Sequence, residues 1–330
     1  MRPFKEADGC YKGGKMSFSS EIKRELCGVS VTKTSQKRAE LAGLIYTNST
    51  MSISSAGPCL LINTESMDVV KRALSLFKAL YAIEPELMQK EAQLKRAATY
   101  VVRVSGRESV FRILGDIGLS IIGGVEVDEQ KYSDILFESG CREAFARGAF
   151  LGAGSVSDPE KEKHLEIVAS RENIAMLLYD LFKFMGLNVK KTLRKLTHVI
   201  YFKQTESIAA FLTIVGAHAG VLKLESIQVY KDIKNNLNRQ VNFEQANQDR
   251  TINSAQEAII SIKKIIRTIG IDGLPKNLRE TALLRMEYPE ATLSELAELS
   301  GGTTKSGINH RLRRINDIAT AISEQGGKGK

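Results

Sequence analysis

The feature that most constrains this chain is that it contains one pattern twice. Leu41-Ala42-Gly43-Leu44-Ile45-Tyr46-Thr47-Asn48-Ser49 precedes a strand-like stretch, and Ala146-Arg147-Gly148-Ala149-Phe150-Leu151-Gly152-Ala153-Gly154 does the same 105 residues later. Leu76-Phe77-Lys78 returns as Leu181-Phe182-Lys183 at the same offset. Further on, Tyr100-Val101-Val102-Arg103-Val104 ahead of Glu108-Ser109-Val110 matches His198-Val199-Ile200-Tyr201-Phe202 ahead of Glu206-Ser207-Ile208, now 98 residues apart. The shorter offset predicts a tighter hairpin in the second copy.

Each copy reads as a helix, two short strands, a longer amphipathic helix, two more strands and a closing helix. In the second copy the strands are expected at 165–169, 187–193 and 199–202, and the helix at 174–185 puts Leu177, Leu178, Leu181 and Phe182 on one side. Two such α/β halves, at about 38–120 and 142–218, would pair their sheets into one four-plus-four-stranded body within a domain at 16–222. Structure is expected to start at Met16, where Phe18, Ile22 and Leu26 share a helical face behind serine caps. Residues 1–15 are polar and lack the apolar run of a signal peptide, so they read as a disordered extension.

Leu41 to Ile45 spells the first five letters of LAGLIDADG, and the duplicated pattern resembles that homing-endonuclease fold. In that family two motif helices pack at a pseudo-twofold axis through small residues, which Gly43 and Gly148 would permit because without a Cβ two backbones can approach closely. The acid at the motif's eighth position binds a divalent metal and helps to activate water against a phosphodiester. Here Asn48 stands in that place in the first copy and Ala153 in the second. A neutral amide is a poor Mg²⁺ ligand and alanine is none, so no catalytic or metal-binding residue is expected. Asp158, Glu160 and Glu162 fall past the turn in a charged loop and read as solvated surface. The resemblance implies a nuclease scaffold without nuclease activity. Lys190, Lys191, Arg194, Lys195 and Lys203 lie on the sheet that active relatives lay in the major groove, either as a secondary DNA contact or as an exposed basic hairpin with no partner.

The segment 223–255 is rich in Asn and Gln and reads as a polar helical linker to a DNA-binding domain at 256–323. Ala258, Ile259, Ile262, Ile265, Ile266 and Ile269 then repeat at helical spacing until Gly270, and Pro275 opens a helix over 278–286. At about 290–323 the pattern is that of a helix-turn-helix. Thr292 and Glu295 form a capping box, Leu293, Leu296 and Ala297 supply a buried face, and Gly301-Gly302 make the turn. Thr303 or Thr304 caps a second helix whose Ile308, Leu312, Ile315 and Ala319 face inward. Lys305, Ser306, Asn309, His310 and Arg313 are left outward, with Arg311 and Arg314 flanking. Arg and Lys can bind guanine, Asn adenine, and Ser or Thr phosphate at the anion-attracting helix start, so this face fits double-stranded DNA. The block also resembles the promoter-reading helix-turn-helix of sigma factors. Residues 324–330 read as a flexible basic tail.

The totals agree. Lys and Arg outnumber Asp and Glu by 47 to 38, a net charge of +9 that favours an anionic partner. Cys10, Cys27, Cys59 and Cys141 show no CxxC spacing and read as reduced thiols, two of them buried, and the four histidines are scattered, so no zinc site, disulfide framework or cofactor is indicated. No apolar run approaches the ~20 residues that span a bilayer, and a soluble, cytoplasmic protein is expected.

Degenerate LAGLIDADG repeats, an Asn-rich linker and a terminal helix-turn-helix together resemble the WhiA family, most specifically at Asn238-Arg239-Gln240-Val241-Asn242 and Lys305-Ser306-Gly307-Ile308-Asn309-His310-Arg311-Leu312-Arg313. The resemblance implies an α+β duplicated domain followed by an all-α DNA-binding domain. It further implies a nucleoid-associated bacterial transcription factor of cell division, chromosome segregation or sporulation, with another regulator or RNA polymerase as a protein partner and no membrane. Two other functions fit the residues: a divergent homing endonuclease with relocated acids, and a protein-partner scaffold that binds DNA non-specifically.

Overall fold

The computed structural model describes residues 2–3, 16–54, 57–90, 98–120 and 125–326. Cys10, most of the expected extension at 1–15 and the tail residues 327–330 lie outside them. The chain divides into two compact units, Met1–Tyr230 and Lys231–Lys330.

In the first unit β1 (Arg2–Pro3) and α1 (Phe18–Cys27) precede the first copy. That copy runs α2 (Thr34–Asn48), β2 (Ser49–Ser54), β3 (Gly57–Thr64), α3 (Met67–Tyr81), β4 (Glu86–Lys90), β5 (Thr99–Ser105) and α4 (Arg107–Asp116). A short pair, β6 (Leu119–Ser120) and β7 (Glu126–Val127), and α5 (Glu129–Ile135) lead to the second copy. There α6 (Cys141–Ala153), β8 (Gly154–Val156), β9 (Leu165–Ala169), α7 (Glu172–Phe184), β10 (Lys190–Arg194), β11 (Thr197–Phe202) and α8 (Thr205–Val215) repeat the order. The alternation of helix and strand thus follows the expected pattern in both copies.

The two sheets stay separate. Each is antiparallel, in the order β1-β4-β5-β3-β2 and β10-β11-β9-β8, and β1 makes the first five-stranded. What unites the copies is the helix pair α2 and α6, each buried along most of its length. A Cβ on Gly43 would overlap the Phe145 carbonyl oxygen and stand 2.8 Å from the Ala149 nitrogen. One on Gly148 would overlap the Glu40 carbonyl oxygen and stand 3.0 Å from the Leu44 nitrogen. Both glycines are therefore required by the close crossing itself. The Thr47 hydroxyl lies in the same seam, 3.0 Å from the Gly43 carbonyl and 3.3 Å from that of Ala149.

Two details differ from the sequence reading. The strand expected at 187–193 begins at Lys190, because Leu187 and Val189 are buried in the connection from α7, where the Leu187 amide bonds the Phe182 carbonyl. Their apolarity seals the core and does not mark a strand. The β10–β11 hairpin turns in two residues, Lys195 and Leu196, whereas eight separate β4 from β5, which accounts for the shorter offset.

The long helix α9 (His218–Ile269) carries the whole Asn/Gln-rich segment without a break. Its start is capped from α1: the Glu25 carboxylate accepts from the Ala219 and Gly220 amides at 2.6 and 3.0 Å. This favours an acid where the first amides of a helix are unpaired. From Asp232 to Ser254 every residue is exposed, as the polar composition requires.

In the second unit the last turns of α9 are followed by a 3₁₀ turn (Ile271–Gly273), α10 (Lys276–Glu287), α11 (Leu293–Leu299) and α12 (Lys305–Gly326). Their core is Ala258, Ile262, Ile265, Leu274, Leu278, Ala282, Leu296, Ile308, Leu312, Ile315 and Ala319. The buried stripe of α9 is narrower than its isoleucines suggest: Ile266 and Ile269 stay 41% and 47% exposed. Ile269 lies beside the Gly273 turn instead. Helix α12 continues three residues into the segment read as tail.

Candidate nucleic-acid interface

Local signals build the α11-turn-α12 unit from both ends. The Thr292 hydroxyl accepts from the Glu295 amide at 3.3 Å while the Glu295 carboxylate accepts from the Thr292 amide at 2.6 Å, completing a reciprocal cap. That bond holds the Glu295 carboxyl below its ordinary value. Leu296 is buried, and Leu293 and Ala297 are half-buried against the same core. The turn uses Gly301 at φ +69° and Gly302 at φ +143°, conformations that a side chain would strain. The Thr304 hydroxyl then accepts from the Gly307 amide at 3.1 Å and caps α12.

Burial of Ile308, Leu312, Ile315 and Ala319 fixes the rotation of α12 about its axis. Consequently Thr304, Lys305, Ser306, His310, Arg313 and Arg314 are exposed, and Thr303 and Asn309 are half-buried. The structure thus brings Lys305, Ser306, Asn309, His310 and Arg313 together on the N-terminal half of one helix. Arg311 differs from its neighbours. It is half-buried and lies 3.4 Å from the Thr281 hydroxyl of α10, a residue itself buried.

Behind this helix lies a residue that the sequence reading missed. Arg285 is 2% exposed and donates to the carbonyls of Tyr288, Pro289 and Ala291, at 3.4, 3.3 and 2.6 Å. Its guanidinium ties down the loop entering α11, and burial lowers its pKa. Buried cations normally find a carboxylate, yet none of the described residues offers one to Arg285 within ion-pair distance. No periodicity announces such a residue, because in sequence it is one arginine on a helix full of charges.

In the first unit Asn48 and Ala153 stand at the last turns of α2 and α6. The Asn48 side-chain amide donates to the Asn63 carbonyl at 2.5 Å, committing one of its two N–H groups to β3. Asp158, Glu160 and Glu162 are exposed in the turn after β8. Among the described residues no three His, Cys, Asp or Glu side chains are placed to hold a metal ion.

Lys190, Lys191, Arg194 and Lys195 lie on the exposed edge hairpin, and Lys203 follows β11. These cations are not equally free. Arg194 pairs with Glu166 of β9 at 3.2 Å, and His164 approaches the same carboxylate at 3.0 Å. Lys191 lies over the Tyr179 ring of α7, and Lys203 over Tyr201. Glu166 sits in β9 and its partner Arg194 two strands over on β10, so the pair was not legible locally.

Cys59 and Cys141 are buried and Cys27 is half-buried. No helix among the described residues is long and apolar enough to cross a membrane.

Comparison with known proteins agrees with this architecture segment by segment. The profile of the WhiA N-terminal LAGLIDADG-like domain matches residues 34–120, that of the WhiA LAGLIDADG-like domain residues 142–234, and that of the WhiA C-terminal HTH domain residues 237–319. A protein of Clostridium botulinum named "Probable cell division protein WhiA" is 38% identical over 313 residues, covering 94% of this chain and 99% of its own. One of the same name from Heliobacterium modesticaldum is 37% identical over 316 residues, covering 94% and 98%. The crystal structure of full-length WhiA from Thermatoga maritima superposes with a TM-score of 0.56 at 27% identity, covering 93% of this chain and 99% of that one. With both degenerate repeats and the helix-turn-helix matched in order along one chain, this protein belongs to the WhiA family.

Proposed function

We propose that this chain is a sequence-specific DNA-binding transcriptional regulator acting in bacterial cell division, chromosome segregation or sporulation, at the nucleoid and without enzymatic turnover. The observation that carries the proposal is the exposed, basic and amide-bearing N-terminal half of α12, held in a helix-turn-helix by caps, glycine turn and core. In this reading Asn309 and Arg313 meet base edges in the major groove, while Thr303, Thr304, Lys305 and Ser306 meet phosphate around the helix start and His310 a neighbouring phosphate. Arg314 holds a flanking phosphate, joined by the guanidinium N–H groups of Arg311 that Thr281 does not take. The assignment to cell division rests on the names of the relatives. A protein partner from the transcription apparatus, RNA polymerase or a second regulator, follows from the likeness of this block to the sigma-factor motif.

The first unit supplies shape. Asn48 and Ala153 give a metal no carboxylate at either helix end, which supports a scaffold that cuts nothing. Lys190, Lys191, Lys195 and Lys203 form a secondary DNA contact, with Arg194 weakened by Glu166. Footprinting of the full chain on genomic DNA against excess competitor tests the proposal: protection of defined sites is expected. Uniform protection without preferred sites would leave only the non-specific scaffold.

A further inference from the structure

The exposed face of α12 does not end with the residues assigned to DNA. At about 100° and 1.5 Å per residue, Asp317 lies about 20° around the helix from Ser306 and about 40° from Arg313, and about 6 Å further along the axis than Arg313. It is exposed, and its carboxylate makes no hydrogen bond or ion pair with any described residue. From Lys305 to Ile322 every other exposed side chain on this helix is basic, histidine or uncharged. It also caps nothing, since α12 begins at Lys305 and runs to Gly326. An unpaired acid in mid-helix contributes little to folding, so its effect falls on whatever meets this face.

A duplex that meets Ser306, His310 and Arg313 passes close to Asp317. Binding without sequence preference depends on phosphates, and a carboxylate among phosphates is repelled. In a docked complex the same carboxylate faces the groove, where it can accept from a cytosine amino group. Its charge therefore counts against phosphate-only binding more than against sequence-matched binding, and a penalty against the wrong partner is one of the two ways to gain specificity. We infer that Asp317 is a specificity-determining residue that holds down binding to DNA lacking the target sequence. The inference rests on the reading of α12 as the DNA-contacting helix.

The test uses the full chain, a pool of random-sequence duplexes and the sequence that the unmodified chain enriches from that pool. D317N is expected to bind the pool about two- to thirtyfold more tightly at low salt, the range for one like-charge repulsion across about 8 Å between bulk water and a protein surface. Its affinity for the enriched sequence should change less, so the ratio between the two falls. The gain should shrink as salt screens it, and D317E, which keeps the charge, should behave as the unmodified chain. Unchanged pool binding by D317N, or equal tightening on both DNAs, overturns the inference while Lys305→Ala and Arg313→Ala still weaken binding. If those two variants also leave both affinities unaltered, the assignment of α12 fails and the role of Asp317 fails with it.

Discussion

Lys305 and Arg313 sit on one exposed helix face, but the chemistry proposed for them differs, and substitution should separate them. Arg313→Ala is expected to relax sequence preference and cost ~1 to 3 kcal/mol on the preferred site, as befits a base contact. Lys305→Ala should weaken all sequences alike and reduce the slope of log affinity against log salt by about one. Titrations at several salt concentrations on matched and random DNA check both. Residues of this kind were legible because burial of Ile308, Leu312 and Ile315 dictates what faces out. Arg285, Glu166 and the Arg311–Thr281 contact were not legible, because each depends on a partner brought by tertiary folding.

The pairing of α2 with α6 is the element on which the first unit turns. Gly148→Ala would drive a methyl into the Glu40 carbonyl, and no side-chain rotation can relieve a clash with backbone. The crossing must widen, at a cost on the order of 1 to 3 kcal/mol or more, which thermal or denaturant melting would register. The equivalent change at Gly115, which has open space, should cost far less. A second test concerns the cap of α11. Because the Glu295 carboxyl is held below its ordinary value by the Thr292 amide, its contribution to stability is present above the unfolded-chain value near 4.5 and is lost as pH falls through the lower folded value. Glu295→Gln should remove that dependence, seen as a smaller loss of melting temperature on acidification. The order of helices and strands was legible from the duplication and its periodicities. The separateness of the two sheets was not, since strand patterns state which face is buried and not which sheet a strand joins.

Over the whole molecule, the proposed function assigns selection of DNA to the second of the two units. Residues 16–230 expressed alone should remain folded, because their core is contained within them, and should lose the footprint of the full chain. Retention of the same sites would place the reading surface in the first unit. Supercoiled plasmid incubated with the full chain and Mg²⁺ or Mn²⁺ should stay unnicked, since no acid stands at the ends of α2 and α6. The legible part at this scale was the departure from the motif at Asn48 and Ala153.

One feature of the seam bears on how such a chain can change. Glu40 is fully buried and accepts from Arg72 at 2.5 and 2.9 Å and from Arg147 at 3.0 Å. By the repeat offset Glu40 corresponds to Phe145 and Arg147 to Ala42, so acid and base each occur in one copy only. Two second copies brought together would bury a pair of guanidiniums with no carboxylate between them, a penalty of several kcal/mol. The symmetry of the repeat is thus broken where it is hardest to restore: neither half can be traded for the other, and the two form an unequal, covalently joined couple.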